Sequence, residues 1–276
     1  MKGLAGKVVV CTGSGRRGGL GEGILQRFAE EGCRLVVTDL GSADTGLGED
    51  HIGTTDEMEA VAAGLRAGGA EVLCVPCDIR KPAQVEALFD AVIDAFGAVD
   101  VLVNNAGVGY VMKPLAELAV EDWQLVLDVN LTGAFLCTQA AAARMRTGGT
   151  GGRVVNIASQ AAKSGFRHMA PYVASKHGLI GLTRTAAIDL AADGITVNAV
   201  CPNHVTTGLG AKQSEYFAAL RGLTPEDYRR GIAERIPLGR VGLPGDTAAA
   251  AAFLASDDAA FITGEALNVS GGEEMH

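Results

Sequence analysis

The stretch KVVVCTGSGRRGGLGEGILQRFAEEG, residues 7–32, decides the fold. It opens with an unbroken apolar run, as a strand buried on both faces requires. A glycine-rich turn follows, and then a segment that sets Ile24, Leu25 and Phe28 on one helical face before Gly32 stops it. Glycines between a strand and a helix let an anionic group approach the backbone, and the helix start offers its unpaired N–H groups. A strand–glycine turn–helix unit of this kind suits a pyrophosphate. Gly13, Gly15 and Gly18 fit G-x-G-x-x-G, and other frames fit as well.

The alternation continues along the chain. Runs at 34–38, 71–75, 99–104, 153–158, 195–200 and 266–270 read as further strands, with amphipathic segments between them. PAQVEALFDAVIDAFG begins with proline and ends with glycine, the punctuation of a helix. Repeated β-α units predict an α/β fold of Rossmann type: a doubly wound parallel sheet in a single domain over 1–276. Two segments exceed a minimal unit. Residues 40–53 form a polar, glycine-rich insertion, after which Thr54 and Glu57 suit a capping box. Residues 203–243 form a second excursion with a helical piece near PEDYRRGIAERI. Long excursions of this kind are usually functional, and both should leave the carboxyl ends of strands, where ligands bind in such folds.

Composition narrows the function classes. A formal net charge of −9 argues against nucleic acid or an anionic membrane as partner. No apolar run approaches a membrane span, and the run near the N-terminus is too short for a secretion signal, so a soluble, cytoplasmic protein is expected. Six cysteines are scattered, and Cys74 and Cys77 make a lone C-x-x-C. No second pair or histidine set accompanies them, so they read as structural and no metal is expected.

The chemistry-bearing residues come next. Asp39 closes the second strand, where a carboxylate bonds both ribose hydroxyls of NAD and repels the extra phosphate of NADP. Arg16 and Arg17 pull toward NADP, because a guanidinium there suits that phosphate. NAD is favoured and NADP stays open. In PYVASKHGL, Tyr172 and Lys176 stand at i and i+4 on one helix face. The pair reads either as a surface charge beside a partly buried ring or as an acid/base catalyst.

The motifs together resemble the short-chain dehydrogenase/reductase family, over nearly the whole chain. TGSGRRGGLG is similar to its cofactor loop, NNAG (104–107) to its fourth-strand motif and YVASK to its Tyr-x-x-x-Lys motif; Ser159 lies thirteen residues before the tyrosine. The resemblance implies catalysis by Asn130, Ser159, Tyr172 and Lys176. It implies cofactor contacts from Gly13, Gly15, Arg17, Gly19, Leu20, Gly21, Asp39, Asp78, Ile79, Asn105, Ala106, Gly107, Tyr172, Lys176, Pro202, Val205 and Thr207. Asp78 would reach the adenine, and Val205 and Thr207 the carboxamide. Two departures stand out: the cofactor loop is about two residues longer than usual, and Asn203 replaces a glycine in CPNHVTT, a place where left-handed backbone is expected. In the implied mechanism Tyr172 exchanges a proton with the substrate oxygen and Ser159 holds that oxygen. Lys176 and a positive nicotinamide lower the phenol from about 10 toward 7, roughly 4 kcal/mol. Asn130 would position a water behind the lysine.

The substrate should meet 160–171 and 203–243. Gln160 follows the serine directly, and the SQA run is similar to the family's polyol and butanediol dehydrogenases, where this amide reaches a second substrate oxygen. Lys163, Arg167 and His168 suit an anionic group on the substrate, and His204 is a further candidate. These residues predict NAD-linked interconversion of an alcohol and a ketone or lactone on a small polar polyol, sugar or sugar acid. The alternatives are an NADPH-dependent 3-oxoacyl thioester reductase and a non-catalytic dinucleotide-binding sensor. The resemblance further implies a homo-oligomer, tetramer or dimer, through helices near 121–145 and 172–190, with the C-terminus reaching a neighbouring subunit.

Overall fold

The computed structural model describes residues 1–42 and 52–275. Each expected strand forms within two residues of its predicted ends: β1 (Val8–Thr12), β2 (Arg34–Thr38), β3 (Val72–Cys74), β4 (Val101–Asn104), β5 (Gly152–Ile157), β6 (Ile195–Pro202) and β7 (Ala266–Val269). They pair in parallel in the order β3-β2-β1-β4-β5-β6-β7. The chain leaves β1 in one direction and returns to its other side at β4. The carboxyl ends of β1 and β4 therefore flank the crevice where such sheets bind ligands.

Both faces of the sheet are covered, which explains the unbroken apolar strands. Val9 and Cys11 of β1 pack with α1 (Leu20–Glu30), α2 (Thr55–Ala67) and α9 (Pro244–Ala255). Val8 and Val10 face α3 (Pro82–Phe96), α5 (Ala134–Gly148) and α6 (Ala170–Asp189). Ile24, Leu25 and Phe28, the face read from the opening stretch, are fully buried. Each such side chain contributes about 1.5–3 kcal/mol by leaving water.

A buried polar ladder ties the second layer to the sheet. Asn104 donates to Asn156 Oδ1 (2.8 Å) and Thr138 Oγ1 (3.0 Å), and Asn156 donates to Thr183 Oγ1 (2.9 Å). The threonine hydroxyls then close on the carbonyls of Ala134 and Leu179 in their own helices. Such bonds fix the rotation of α5 and α6 about their axes, because a small rotation would leave buried polar atoms unpaired.

Three expectations change. The insertion does lead to a cap at Thr54, which accepts from Glu57 N at 3.3 Å, but the Glu57 carboxylate turns to the glycine loop instead of completing a box. The rest of that insertion, residues 43–51, lies outside the described residues. Two helices stand in the 203–243 excursion: α7 (Gly208–Leu220), capped by Thr207, and α8 (Pro225–Arg235), capped by Thr224 with Pro225 in its first turn. Only α8 was expected; α7 opens on glycines and has little apolar periodicity. Finally, α4 (Val120–Leu127) runs through a π turn (Asp128–Gly133) into α5, and this stretch, Val120–Gly148, is apolar enough for a membrane span. Just over half of its most apolar window is packed inside the fold, so it serves as a core helix.

Candidate active site

A cavity of about 670 Å³ opens along the carboxyl ends of the strands. Its floor is the glycine turn. Gly13 has φ +64°, and a Cβ there would sit 2.5 Å from Ala106 Cα. At Gly21 a Cβ would sit 2.6 Å from the Gly13 carbonyl oxygen. Only glycine permits both approaches. Asn105 fastens the turn by donating to the carbonyls of Thr12 (2.9 Å) and Gly13 (2.8 Å), while Thr12 Oγ1 accepts from the amides of Asn105 and Ala106. The N-cap of α1, Gly19, offers no side-chain cap, and Gly19, Leu20 and Gly21 line the cavity. Uncapped first-turn amides on a cavity wall fit a phosphate group, so the turn suits the pyrophosphate of a dinucleotide.

Of the expected cofactor contacts, Gly13, Arg17, Gly19, Leu20, Gly21, Asp39, Asp78, Ile79, Asn105, Ala106, Gly107, Tyr172, Lys176, Pro202, Val205 and Thr207 line this cavity. Gly15 does not. A Cβ there would lie 2.4 Å from Met58 and 2.7 Å from Asp39 Cβ, so this glycine serves packing against α2. Arg16 and Gly18 of the glycine turn line the cavity as well, and so does Arg80, which the sequence reading passed over. Arg80 grips Asp78 with Nε (2.8 Å) and Nη2 (2.7 Å). Burial works to raise the Asp78 carboxyl, but this fork overrides it and holds the group below its usual range. Asp39 receives the amides of Leu40 (2.9 Å), Gly53 (3.0 Å) and Gly15 (3.1 Å). Burial raises its pKa against those bonds and the charge of Arg16. Glu57 faces the same corner: it accepts from Arg17 N at 3.0 Å and lies 4.0 Å from Arg16 Nε.

Ser159, Tyr172 and Lys176 converge at the far end of the cavity. Ser159 follows β5, and α6 carries the other two on successive turns. Burial pushes the Tyr172 phenol above 10, and a hydrogen bond with Ser159 partly offsets this. The Lys176 ammonium donates to the Ile157 carbonyl at 2.7 Å and lies 5.7 Å from the centre of the Tyr172 ring. Burial lowers its pKa from 10.5 to about 8. Desolvation is the largest influence on the phenol, and the lowering expected from Lys176 together with a positive nicotinamide has to overcome it. Cys201, also buried, adds to the upward shift of the phenol.

Asn130 sits in the π turn and is fully enclosed. Its amide exchanges hydrogen bonds with the backbone of Val108 (2.7 and 2.9 Å) and donates to Ser175 Oγ (3.0 Å). A Cβ on Gly107 would meet both Asn130 Oδ1 (3.3 Å) and Lys176 Nζ (3.7 Å), so asparagine and lysine flank the same glycine. The side-chain amide is thus committed to protein groups.

A second cavity, of about 410 Å³, shares Ser159, Tyr172, Asn203 and His204 with the first. Gln160 lines it; Nε2 donates to Glu274 Oε1 at 2.6 Å, and Oε1 is buried without a partner among the described residues. Arg167 lines it as well. Lys163 does not: its ammonium donates to the Ala266 carbonyl at 2.9 Å and clips the segment to β7. His168 does not line it either. It adopts φ +63°, the one non-glycine residue with positive φ among the described residues, and pairs with the Tyr216 hydroxyl of α7 at 2.9 Å. Both are corrected from substrate contacts to supports of the wall. Asn203 is not left-handed; its amide reaches Glu273. Burial lowers the pKa of His204. Phe166, Phe217, Tyr228 and Arg221 complete the wall, and no motif in the sequence marks them. The C-terminal residues Glu273 and Glu274 bond to the site of their own chain.

The geometry defines a dinucleotide oxidoreductase, and comparison with known proteins agrees. A family model described as "Enoyl-(Acyl carrier protein) reductase" matches residues 13–274. A protein of Streptomyces coelicolor named "Putative ketoacyl reductase" is 41% identical over 95% of this chain and 96% of its own. An actinorhodin polyketide ketoreductase with NADPH superimposes with a TM-score of 0.88 at 38% identity, covering 100% of both chains. An NAD+-bound xylitol dehydrogenase gives 0.88 at 33%, covering 98% of this chain and 100% of its own. The chain belongs to the short-chain dehydrogenase/reductase family. It is an NAD(P)-dependent oxidoreductase acting on alcohols or ketones.

Proposed function

We propose that the protein interconverts a secondary alcohol and a ketone with NAD, on a polar substrate carrying a second oxygen, as polyols, sugars and sugar acids do. The observation that carries the reaction is that Ser159 and Tyr172 line both a dinucleotide-sized cavity and a second, smaller one, with Lys176 beside them in the first. A bound nicotinamide supplies the hydride acceptor or donor and, when oxidised, a positive charge. Ser159 orients the substrate oxygen. Tyr172 takes the proton from that oxygen in oxidation and returns it in reduction. Lys176, held by Ile157, supplies positive charge under the ring. Asn130 acts through position: it ties Val108 to α6 through Ser175 and so sets the lysine beside Gly107.

Asp39 supports NAD over NADP, because a buried carboxylate already holding three amides stands where a ribose phosphate would place further negative charge. Gln160 supports the second oxygen: its unpaired, buried Oε1 is an acceptor that a substrate hydroxyl would satisfy. A second reading, an NADPH-linked reductase of 3-oxoacyl thioesters, is favoured by Arg16 and Arg17 at the glycine turn. Reduction of NAD+ and NADP+ across polyols, sugars, sugar acids and simple secondary alcohols, with oxidation of NADH and NADPH by diketones and 3-oxoacyl thioesters, decides between them. NAD-linked turnover of a polar alcohol supports the first reading. NADPH-linked reduction of thioesters replaces it with the second. Binding of NAD with no turnover at all leaves the sensor.

The family resemblance and the exposed Ile188 (78%) on α6 and Val120 (74%) at the start of α4 support a homo-oligomer, dimer or tetramer. Light scattering behind size exclusion measures it, and a monomer at all concentrations removes the inference.

A further inference from the structure

The far wall of the substrate-side cavity is cationic in an acidic protein. The chain carries 23 basic against 32 acidic residues, yet Arg167, Arg221 and Arg235 all line this cavity, with Glu273 as its one carboxylate among the described lining residues. Glu273 is spent on Arg235 (3.5 Å) and on the Asn203 amide. Arg235 is further engaged with the Gly231 carbonyl. The other two guanidinium groups remain available. Arg221 lies 5.2 Å from the centre of the Tyr228 ring, which orients it without using its N–H donors, and no hydrogen bond or ion pair of its side chain is present among the described residues. Arg167 uses only Nε, on His168.

A guanidinium stacked on an aromatic face with its donors unspent is prepared for a planar anion. Arg167 lines the same cavity, so the two positive charges add at its wall. His204 does not compete for the anion as a cation, since burial favours its neutral form. The same wall carries the rings of Phe166 and Phe217, so apolar surface is available to the substrate's body.

We infer that the substrate is an oxo or hydroxy acid: its reacting carbon lies at Ser159 and Tyr172, and a carboxylate at its other end is held by Arg167 and Arg221. This rests on the reading of the cluster as an alcohol–ketone site and narrows its substrate class. Of the 163–168 segment read in the sequence it keeps Arg167, and it pairs that residue with Arg221 at the end of α7.

Calorimetric titration of the protein with NAD+, at low ionic strength, tests it with 4-phenylbutanoate and the uncharged 4-phenylbutanamide. The two probes share size and ring and differ in charge. The carboxylate is expected to bind at least tenfold tighter, and that preference should vanish in Arg167→Ala/Arg221→Ala and shrink severalfold in 0.5 M NaCl. Equal or tighter binding of the amide overturns the inference, as does undetectable binding of the carboxylate or a preference that survives the double substitution. Both arginines are exposed, so folding of the variant is not at stake, and the salt dependence is read on the wild type. Binding is read without turnover. Loss of discrimination in an active enzyme therefore fells this inference alone, whereas discrimination in a protein without turnover fells the catalytic reading alone.

Discussion

The two cavities that meet at Tyr172 are built in opposite ways. The dinucleotide side is made of backbone: glycines that approach within contact of Ala106 and Ser14, uncapped amides of α1, and carboxylates that anchor the turn. The substrate side is made of side chains from four separated segments, the residues after β5, the start of the excursion after β6, α7–α8 and the C-terminus. Backbone geometry depends on local sequence, so the first side comes from contiguous motifs. Side-chain walls depend on how remote helices dock, so the second leaves almost no local trace.

Substitutions can break that contrast. Tyr172→Phe acts where the two sides meet; turnover should fall by roughly 10²–10⁴-fold with NAD affinity unchanged. Near-normal turnover in steady-state assays would remove Tyr172 as the proton carrier. The cost of burying Lys176 gives the next largest effect. Its pKa falls from 10.5 unfolded to about 8 folded, so the unfolded chain binds more protons between those values and stability rises with pH there, on the order of 3 kcal/mol. Below about pH 8 the penalty is present in full. Denaturant unfolding of wild type and Lys176→Met in parallel reads this as a difference, which cancels the buried cysteines and their opposite pH dependence. Parallel curves from pH 8 to 10 would show that the ammonium is not desolvated.

Gly13→Ala tests the backbone side directly. Positive φ and a 2.5 Å approach to Ala106 predict loss of about 2 kcal/mol or more in stability and a large drop in cofactor affinity. Unaltered NAD binding by fluorescence titration would mean that the turn is not the cradle. Asp39→Ala and Glu57→Gln sharpen the cofactor preference. Glu57 accepts from the Arg17 backbone amide and lies against Arg16, so removing its charge leaves the corner less hostile to a 2′-phosphate. Each change should move the ratio of kcat/KM for NADP over NAD upward by about tenfold, equal to 1.4 kcal/mol. An unmoved ratio in both variants would leave the preference to other residues. The smallest effect belongs to Lys163→Met. Its ammonium serves β7 and not the cavity, so KM for the best substrate should stay within about twofold and stability should fall by about 1 kcal/mol. A tenfold rise in KM would return Lys163 to the substrate.

How much was legible follows the same division. All seven strands and the glycine turn could be read, because each depends on local sequence or on a run buried on both faces, whereas the Ser159–Tyr172–Lys176 cluster was read through the resemblance of its motifs to a family. The roles given to Gly15, Lys163 and His168 could not be read correctly. Each depends on a partner brought in by the fold: Met58, Ala266 and Tyr216. Helix α7 escaped notice because its stability comes from docking through Tyr216 and Phe217 and from the Thr207 cap, not from an apolar stripe.

By itself the sequence determined the parallel sheet and the dinucleotide turn, since these arise from runs buried on both faces and the conformational freedom of glycine; it named the candidate reacting side chains through the resemblance of their motifs to a known family. Only the tertiary structure decided the electrostatic setting of the phenol, which burial raises, and the composition of the substrate wall. Both depend on what surrounds a group in three dimensions, where Arg221 and Phe166 line one cavity although more than fifty residues separate them.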